Sequence, residues 1–209
     1  MVLYIVTFFE MACFLVSLYC LVRVKPPLYL RFFPAFLFIT IAVETTGHIL
    51  NYIGQPNSDM YNFFGIFEFV FYSFVIYHVL KAKWLKLVVL YSILAYTVIA
   101  LFYNCIVFDN RFHIITYIPG SIIIACFCCL YFYELVKTPV YKNPVYEPSF
   151  WICLGLLFYY SVTMPIMVVF GQSSQRLAVL LYYYILYATN ILLYSSFAIS
   201  FIFFVRFRK

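Results

Sequence analysis

The 209-residue sequence is 67% hydrophobic and only 10% charged, whereas soluble domains are about half apolar and about a quarter charged. This composition excludes an ordinary soluble domain and predicts an all-α, polytopic membrane helix bundle. The net charge of +6 is explained by membrane topology and contact with anionic lipid, and no nucleic-acid contact is indicated.

Seven segments each have the roughly 20 mostly apolar residues that are needed to cross a hydrocarbon layer. They cover residues 2–22, 29–53, 60–80, 84–107, 112–136, 149–170 and 177–204. We expect the first to be a retained helix rather than a signal peptide, since no basic residue precedes it and further spans follow at once. The longest connection, 137–149, is too short for a soluble domain, so residues 1–209 are predicted to form a single seven-helix transmembrane domain.

The distribution of lysine and arginine predicts the orientation, because these residues favour the cytoplasmic side of short loops. One side of the membrane collects Arg23, Lys25, Arg31, Lys81, Lys83, Lys86, Lys137, Lys142, Arg206, Arg208 and Lys209. The other side receives Arg111 and Arg176. The N-terminus is therefore expected outside and the C-terminus in the cytoplasm. Helical spans indicate the bacterial inner (cytoplasmic) membrane as the location.

Three glutamates fall at one depth in the predicted bundle. Glu10, Glu44 and Glu68 each lie about nine residues from the outer end of their spans, or roughly 13 Å at 1.5 Å per residue. A lone charge near the bilayer centre costs at least about 2.5–3.5 kcal/mol. These acids must therefore be protonated, hydrogen-bonded or paired with a bound cation.

Helical spacing places other polar residues on the same faces as the acids, since residues three, four and seven apart lie together. If these faces point inward, they line a polar pocket that opens toward the outside. The predicted ligand-binding residues are Glu10, Glu44, His48, Asn51, Asn62, Glu68, Tyr72, Tyr187 and Asn190. The alternative is a network of interhelical hydrogen bonds that only specifies packing. Three side chains near span ends, His78, His113 and Glu134, are expected to reach water.

These features permit three kinds of function. The first is a sensor or regulatory binding module that signals to a cytoplasmic or membrane partner through the basic inner loops. The second is a membrane-embedded lipid hydrolase in which Glu44, His48 and Glu68 hold a divalent metal ion, although a single histidine at this depth is poor zinc chemistry. The third is an ion or proton pathway, or a pore formed by a homo-oligomer. The residues leave enzymatic activity open and identify no cofactor.

The stretch NYIGQPNSDMYNFFGIFEFVFYSF, residues 51–74, resembles a segment of small bacterial multispan membrane proteins. Its elements are an asparagine-rich outer turn followed by YN and an EFxFY segment. The resemblance covers the second and third spans and implies no particular function. Some multispan proteins of this size accompany RNA-targeting CRISPR or other defence systems, so an accessory or effector protein of such a system is a further alternative.

Overall fold

The computed structural model describes residues 2–107, 111–137, 144–170 and 176–207, and all regular structure in these ranges is helical. The helices are α1 (Val2–Arg23), α2 (Leu28–Arg31), α3 (Phe33–Tyr52), α4 (Ser58–Val79), α5 (Lys83–Ile106), α6 (Ile114–Lys137), α7 (Pro148–Phe170) and α8 (Arg176–Phe207). With α2 and α3 as one unit, seven are long and apolar enough to span a membrane. The predicted number of long apolar helices is confirmed for the described residues, and every predicted boundary lies within three residues of a helix end.

The helices end where the sequence removes hydrogen-bond donors or demands an unusual backbone. Pro26 and Pro27 lie between α1 and α2, and a proline keeps the residue before it out of the helical conformation. Pro27 itself is extended, with φ −61° and ψ 160°. Gly54 has φ 73°, and the N–H of Gln55 donates to the carbonyl of Leu50 at 2.8 Å. This is the left-handed glycine cap that commonly ends a helix, and it turns the chain from α3 into α4.

Six of the helices form a closed ring in the order α1, α3, α4, α6, α7 and α8, with α8 packed on both α7 and α1. The remaining long helix, α5, packs against α4 and α6 on the outside of this ring. Its outer surface is apolar, with Val98, Ile99 and Phe102 66%, 67% and 69% exposed. Such a surface is suited to contact with lipid chains, which offer no hydrogen-bond partners.

The core at one end of the ring is a layer of phenylalanine rings that we call the aromatic layer: Phe33, Phe36, Phe71, Phe197 and Phe201. The ring of Phe33 meets those of Phe71, Phe197 and Phe201 edge to face at centroid distances of 5.0, 5.3 and 5.4 Å. Phe36 stacks on Phe71 at 4.0 Å. These are favoured aromatic geometries, so the layer joins α3, α4 and α8 into one packed unit.

Basic residues flank the helices at the end of the bundle where this layer lies. Arg23 and Lys137 are the last residues of α1 and α6, Lys83 is the first of α5, and Arg206 is in the last turn of α8. Lys142, Arg208 and Lys209 fall outside the described residues. This clustering follows the charge pattern of the sequence, and the cytoplasmic location of this end stays a prediction.

The connection from α4 to α5 is fixed by an acid from a third helix. The carboxylate of Glu134 on α6 accepts hydrogen bonds from the backbone N–H groups of Lys81 at 2.9 Å and Ala82 at 2.8 Å. These groups precede the first turn of α5, which has no intrahelical acceptors for its N–H groups. Glu134 therefore acts as a cap that attaches the outer helix to the ring.

Candidate binding site

A cavity of about 1370 Å³ lies inside the ring of helices. Its walls come from residues 40–51 of α3, 58–69 of α4 and 114–124 of α6, and from parts of α5, α7 and α8. Exposed wall residues, including Asn51, Arg111 and Tyr183, form a rim at the end opposite the aromatic layer. The inner wall includes Thr40, one turn from Phe36 of that layer, and the two are joined by a 3.0 Å hydrogen bond from the Thr40 hydroxyl to the Phe36 carbonyl.

Most of the residues predicted from the sequence to bind a ligand lie on this wall. They are Glu44, His48, Asn51, Asn62, Glu68, Tyr187 and Asn190. Glu10 and Tyr72 lie behind it, 2% and 1% exposed, and are adjacent to the wall residues Tyr194 and Glu68. Within the described residues, Oε2 of Glu10 and the Tyr72 hydroxyl have no hydrogen-bond partner.

The carboxylate of Glu44 is held from two sides. The hydroxyl of Tyr61 on α4 donates to Glu44 Oε2 at 3.2 Å, and Nε2 of His48, one turn along α3, lies 3.8 Å from the same oxygen. The side chains of Glu44 and His48 remain 35% and 34% exposed. The acid is therefore oriented by its neighbours while one side of it faces the cavity.

Gly47 permits the close approach of α4 that makes this arrangement possible. A Cβ atom at this position would lie 2.8 Å from Cζ of Tyr61, closer than side-chain carbon atoms pack. The Gly47 carbonyl also accepts a 3.1 Å hydrogen bond from the Asn57 amide. Tyr61 thus fits against bare backbone of α3, which places its hydroxyl at Glu44.

A second glycine brings a side chain of the outer helix into the cavity wall. Tyr96 of α5 crosses between α4 and α6, packs on Phe69 at a centroid distance of 3.9 Å, and donates to the Thr116 carbonyl at 3.1 Å. A Cβ atom on Gly120 would lie 2.7 Å from the Tyr96 hydroxyl. The absence of a side chain at Gly120 therefore provides the gap through which Tyr96 reaches the cavity.

The start of α6 is fixed by a network of amides and one imidazole. The amide of Asn62 donates to the Arg111 carbonyl at 2.8 Å and accepts from the His113 N–H at 2.9 Å. Nδ1 of His113 lies 2.7 Å from Oδ1 of Asn104 on α5. His113 is 6% exposed, so its predicted contact with water is wrong: these two asparagines replace water as its partners.

The three glutamates predicted to share one depth are also neighbours in space. Glu10, Glu44 and Glu68 are close enough for their carboxyl groups to interact electrostatically. Among the described residues of the wall, Arg111 at the rim is the one lysine or arginine. Acid is therefore concentrated inside the cavity and the basic group lies at its entrance.

Tyrosines are abundant on the wall, and those of α5, α6 and α7 were not predicted from the sequence. Nine tyrosines in the described part of the chain line the cavity: Tyr61, Tyr96, Tyr117, Tyr159, Tyr160, Tyr182, Tyr183, Tyr187 and Tyr194. A signal was present in the spacing of four between Tyr117 and Ser121 and between Tyr159 and Thr163. The two pairs meet, since the Tyr117 and Thr163 hydroxyl oxygens are 3.1 Å apart.

The three side chains considered as metal ligands do not assemble into a metal centre. Glu44 and His48 are adjacent, but no group of three His, Cys, Asp or Glu side chains in the described ranges is arranged to hold a metal ion. The site is instead a wide cavity with carboxylates, phenol rings and amides on its wall. No protein-family model, curated protein or solved structure matches this chain.

Proposed function

We propose that this protein is a multi-pass membrane sensor or regulatory module that binds a small ligand in the cavity between its helices. The observation that carries the proposal is the cavity itself, about 1370 Å³ in volume and lined by polar and aromatic side chains. Ligand sites of proteins typically measure about 300–1,000 Å³, so a metabolite-sized molecule fits. With the orientation expected from the basic residues, the rim faces outward and the ligand enters from outside the cell.

The basic end of the bundle is suited to transmit ligand binding to a partner protein. Helices α6 and α8 line the cavity with their N-terminal halves and end beside Lys137 and Arg206. A ligand that shifts either helix therefore also moves a positively charged surface at the other end. The proposed partner surface includes residues 81–86, 137–147 and 206–209, of which 138–143 and 208–209 lie outside the described residues.

The aromatic layer favours binding over transport. Phe33, Phe71 and Phe197 are at most 8% exposed and their rings are in direct contact, between the cavity and the basic end. An ion that entered the cavity would meet close-packed apolar rings rather than a chain of polar groups, which relays require. A metal-dependent hydrolase has less support, because the described acids and histidines form no three-ligand group.

Native mass spectrometry of the gently purified protein tests this proposal, together with a variant whose cavity is filled. Gly65 lies on the cavity wall, and a Cβ atom there meets nothing within 4 Å. Gly65→Leu therefore introduces a side chain into the cavity at a position where its Cβ atom has open space. Ala95→Leu, on the exposed surface of α5, is the matched control.

We expect wild type and Ala95→Leu to retain a small molecule that Gly65→Leu loses. If all three proteins carry the same molecules, or bulk lipid alone, the cavity is not a binding site. In that case the polar wall is an interhelical packing network, and the partner surface at the basic end becomes the feature to study.

A further inference from the structure

Resting on the proposed binding function, we infer that the ligand is an organic cation whose ammonium group lies between the carboxylates of Glu44 and Glu68 and the tyrosine rings of the cavity. Three features of the cavity support this chemical class of ligand: the charge of its wall, the aromatic side chains around the acids, and its volume.

The charge of the wall is the first argument. Glu44 and Glu68 face the cavity, while Glu10 lies directly behind Tyr194 with one carboxylate oxygen unpartnered and the side chain 2% exposed. Against these acids, the described wall offers His48 beside Glu44 and Arg111 at the exposed rim. A lone charge at membrane depth is costly, so a ligand that brings positive charge stabilises the ionised form of these acids, whereas a neutral or anionic ligand does not.

The aromatic side chains supply the second argument. The face of a phenol ring attracts a cation within about 6 Å, with a strength of about 0.5–2 kcal/mol that grows when water is excluded. The rings of Tyr183 and Tyr187 stack near the rim at 6.2 Å, and Tyr160 and Tyr194, 5% and 4% exposed, lie at the inner wall. Tyrosine rings therefore line the path from the rim to the acids.

The size of the space distinguishes an organic cation from a metal ion. A bound metal ion draws its ligands to within about 2–2.6 Å, and the described acids and histidines form no such group. A cavity of about 1370 Å³ leaves room for a molecule with several carbon atoms. A protonated amine or a quaternary ammonium group fits both the space and the ring faces.

Choline and 3,3-dimethylbutan-1-ol are a matched pair of probes. The alcohol has the shape of choline, but a carbon atom replaces the charged nitrogen. We would measure binding of each by isothermal titration calorimetry to the full chain, purified in a non-ionic detergent. We expect choline to bind at least tenfold more tightly than the analogue. Equal binding of the two probes would overturn the inference.

Substitutions locate the binding. Glu68→Gln removes a charge from the cavity with almost no change in shape, and Glu147→Gln makes the same change just before α7, at the opposite end of the bundle. We expect Glu68→Gln to weaken choline binding at least tenfold and Glu147→Gln to leave it unchanged. An equal effect of both substitutions, or of neither, would overturn the inference.

Gel filtration and circular dichroism show whether Glu68→Gln folds. If it does not, a second pair of variants tests choline binding at the cavity wall. Tyr187→Leu removes a ring from the cavity wall, whereas Tyr133→Leu removes one that is 53% exposed on α6. We expect several-fold weaker choline binding in Tyr187→Leu alone. Choline binding that is the same in these two variants and the wild type would contradict a role for the ring faces.

The outcomes also separate this inference from the function on which it rests. A neutral or anionic molecule that is retained by the wild type and lost from Gly65→Leu would refute the cationic ligand and support the binding module. Absence of any cavity-dependent molecule, together with no binding of choline, would refute both.

Discussion

Replacing one phenylalanine of the aromatic layer measures how much that layer contributes to the free energy of unfolding of the bundle. Phe33 is 0% exposed and makes three close edge-to-face contacts. Within a membrane the lipid chains solvate a phenyl ring about as well as the protein interior does, so burial itself contributes little and packing must supply the stability. Phe33→Ala removes that packing.

The contacts of Phe33 set the expected magnitude. An edge-to-face or offset pair is worth about 0.5–1.5 kcal/mol beyond area burial, so three such pairs give a loss of about 2–4 kcal/mol in the free energy of unfolding. The matched control is Phe102→Ala on α5, where the ring is 69% exposed. For that variant we expect a change within about 0.5 kcal/mol, as for most surface substitutions.

Reversible unfolding in mixed detergent micelles, followed by circular dichroism, gives both free energies. A loss of similar size in Phe33→Ala and Phe102→Ala would refute the reasoning, since apolar contact in general, rather than this layer, would then stabilise the bundle. A loss confined to Phe33→Ala supports the layer as the structural base of the cavity.

Three further predictions concern the cavity wall, the outer helix and the orientation. Gly47→Ala should displace Tyr61 and weaken choline binding several-fold in the same calorimetric assay, whereas Gly65→Ala should not. Glu134→Ala should lower the free energy of unfolding by about 1–2 kcal/mol, the usual cost of losing a helix N-cap, and an unchanged thermal melt would contradict that role. Cys105, exposed near the end of α5, should react with a membrane-impermeant maleimide in intact cells, and labelling only after lysis would reverse the predicted orientation.

The helical spans were predictable because apolar length is a local property of the sequence. Each span is bounded by charged residues, prolines or glycines, so its ends follow from short stretches such as those around Pro27 and Gly54. The position of each of the three glutamates along its helix was predictable for the same reason, since it requires only the rise per residue. Their proximity in space then follows from the side-by-side packing of α1, α3 and α4.

The arrangement of the helices around the cavity was not predictable, because it depends on contacts between distant segments. All seven spans look alike in length and apolar composition, whereas α5 lies outside the ring and reaches the cavity through Tyr96. That position depends on Gly120, because a side chain there would clash with Tyr96. The requirement for glycine can be recognised only when the contact between α5 and α6 is known. Glu10 and Tyr72 were placed on the wall by spacing alone, but Tyr194 and Glu68 lie between them and the cavity.

The closure of the ring between α1 and α8 has a consequence for biosynthesis. Glu10 acquires its neighbour Tyr194 only after about 180 further residues have been made, which takes about 10–40 s at the usual rate of 5–20 residues per second. If the helices enter a bilayer one after another, an acid-bearing first helix waits there for this whole interval without Tyr194. On that assumption we expect translational pauses after α1 to reduce the yield of folded protein.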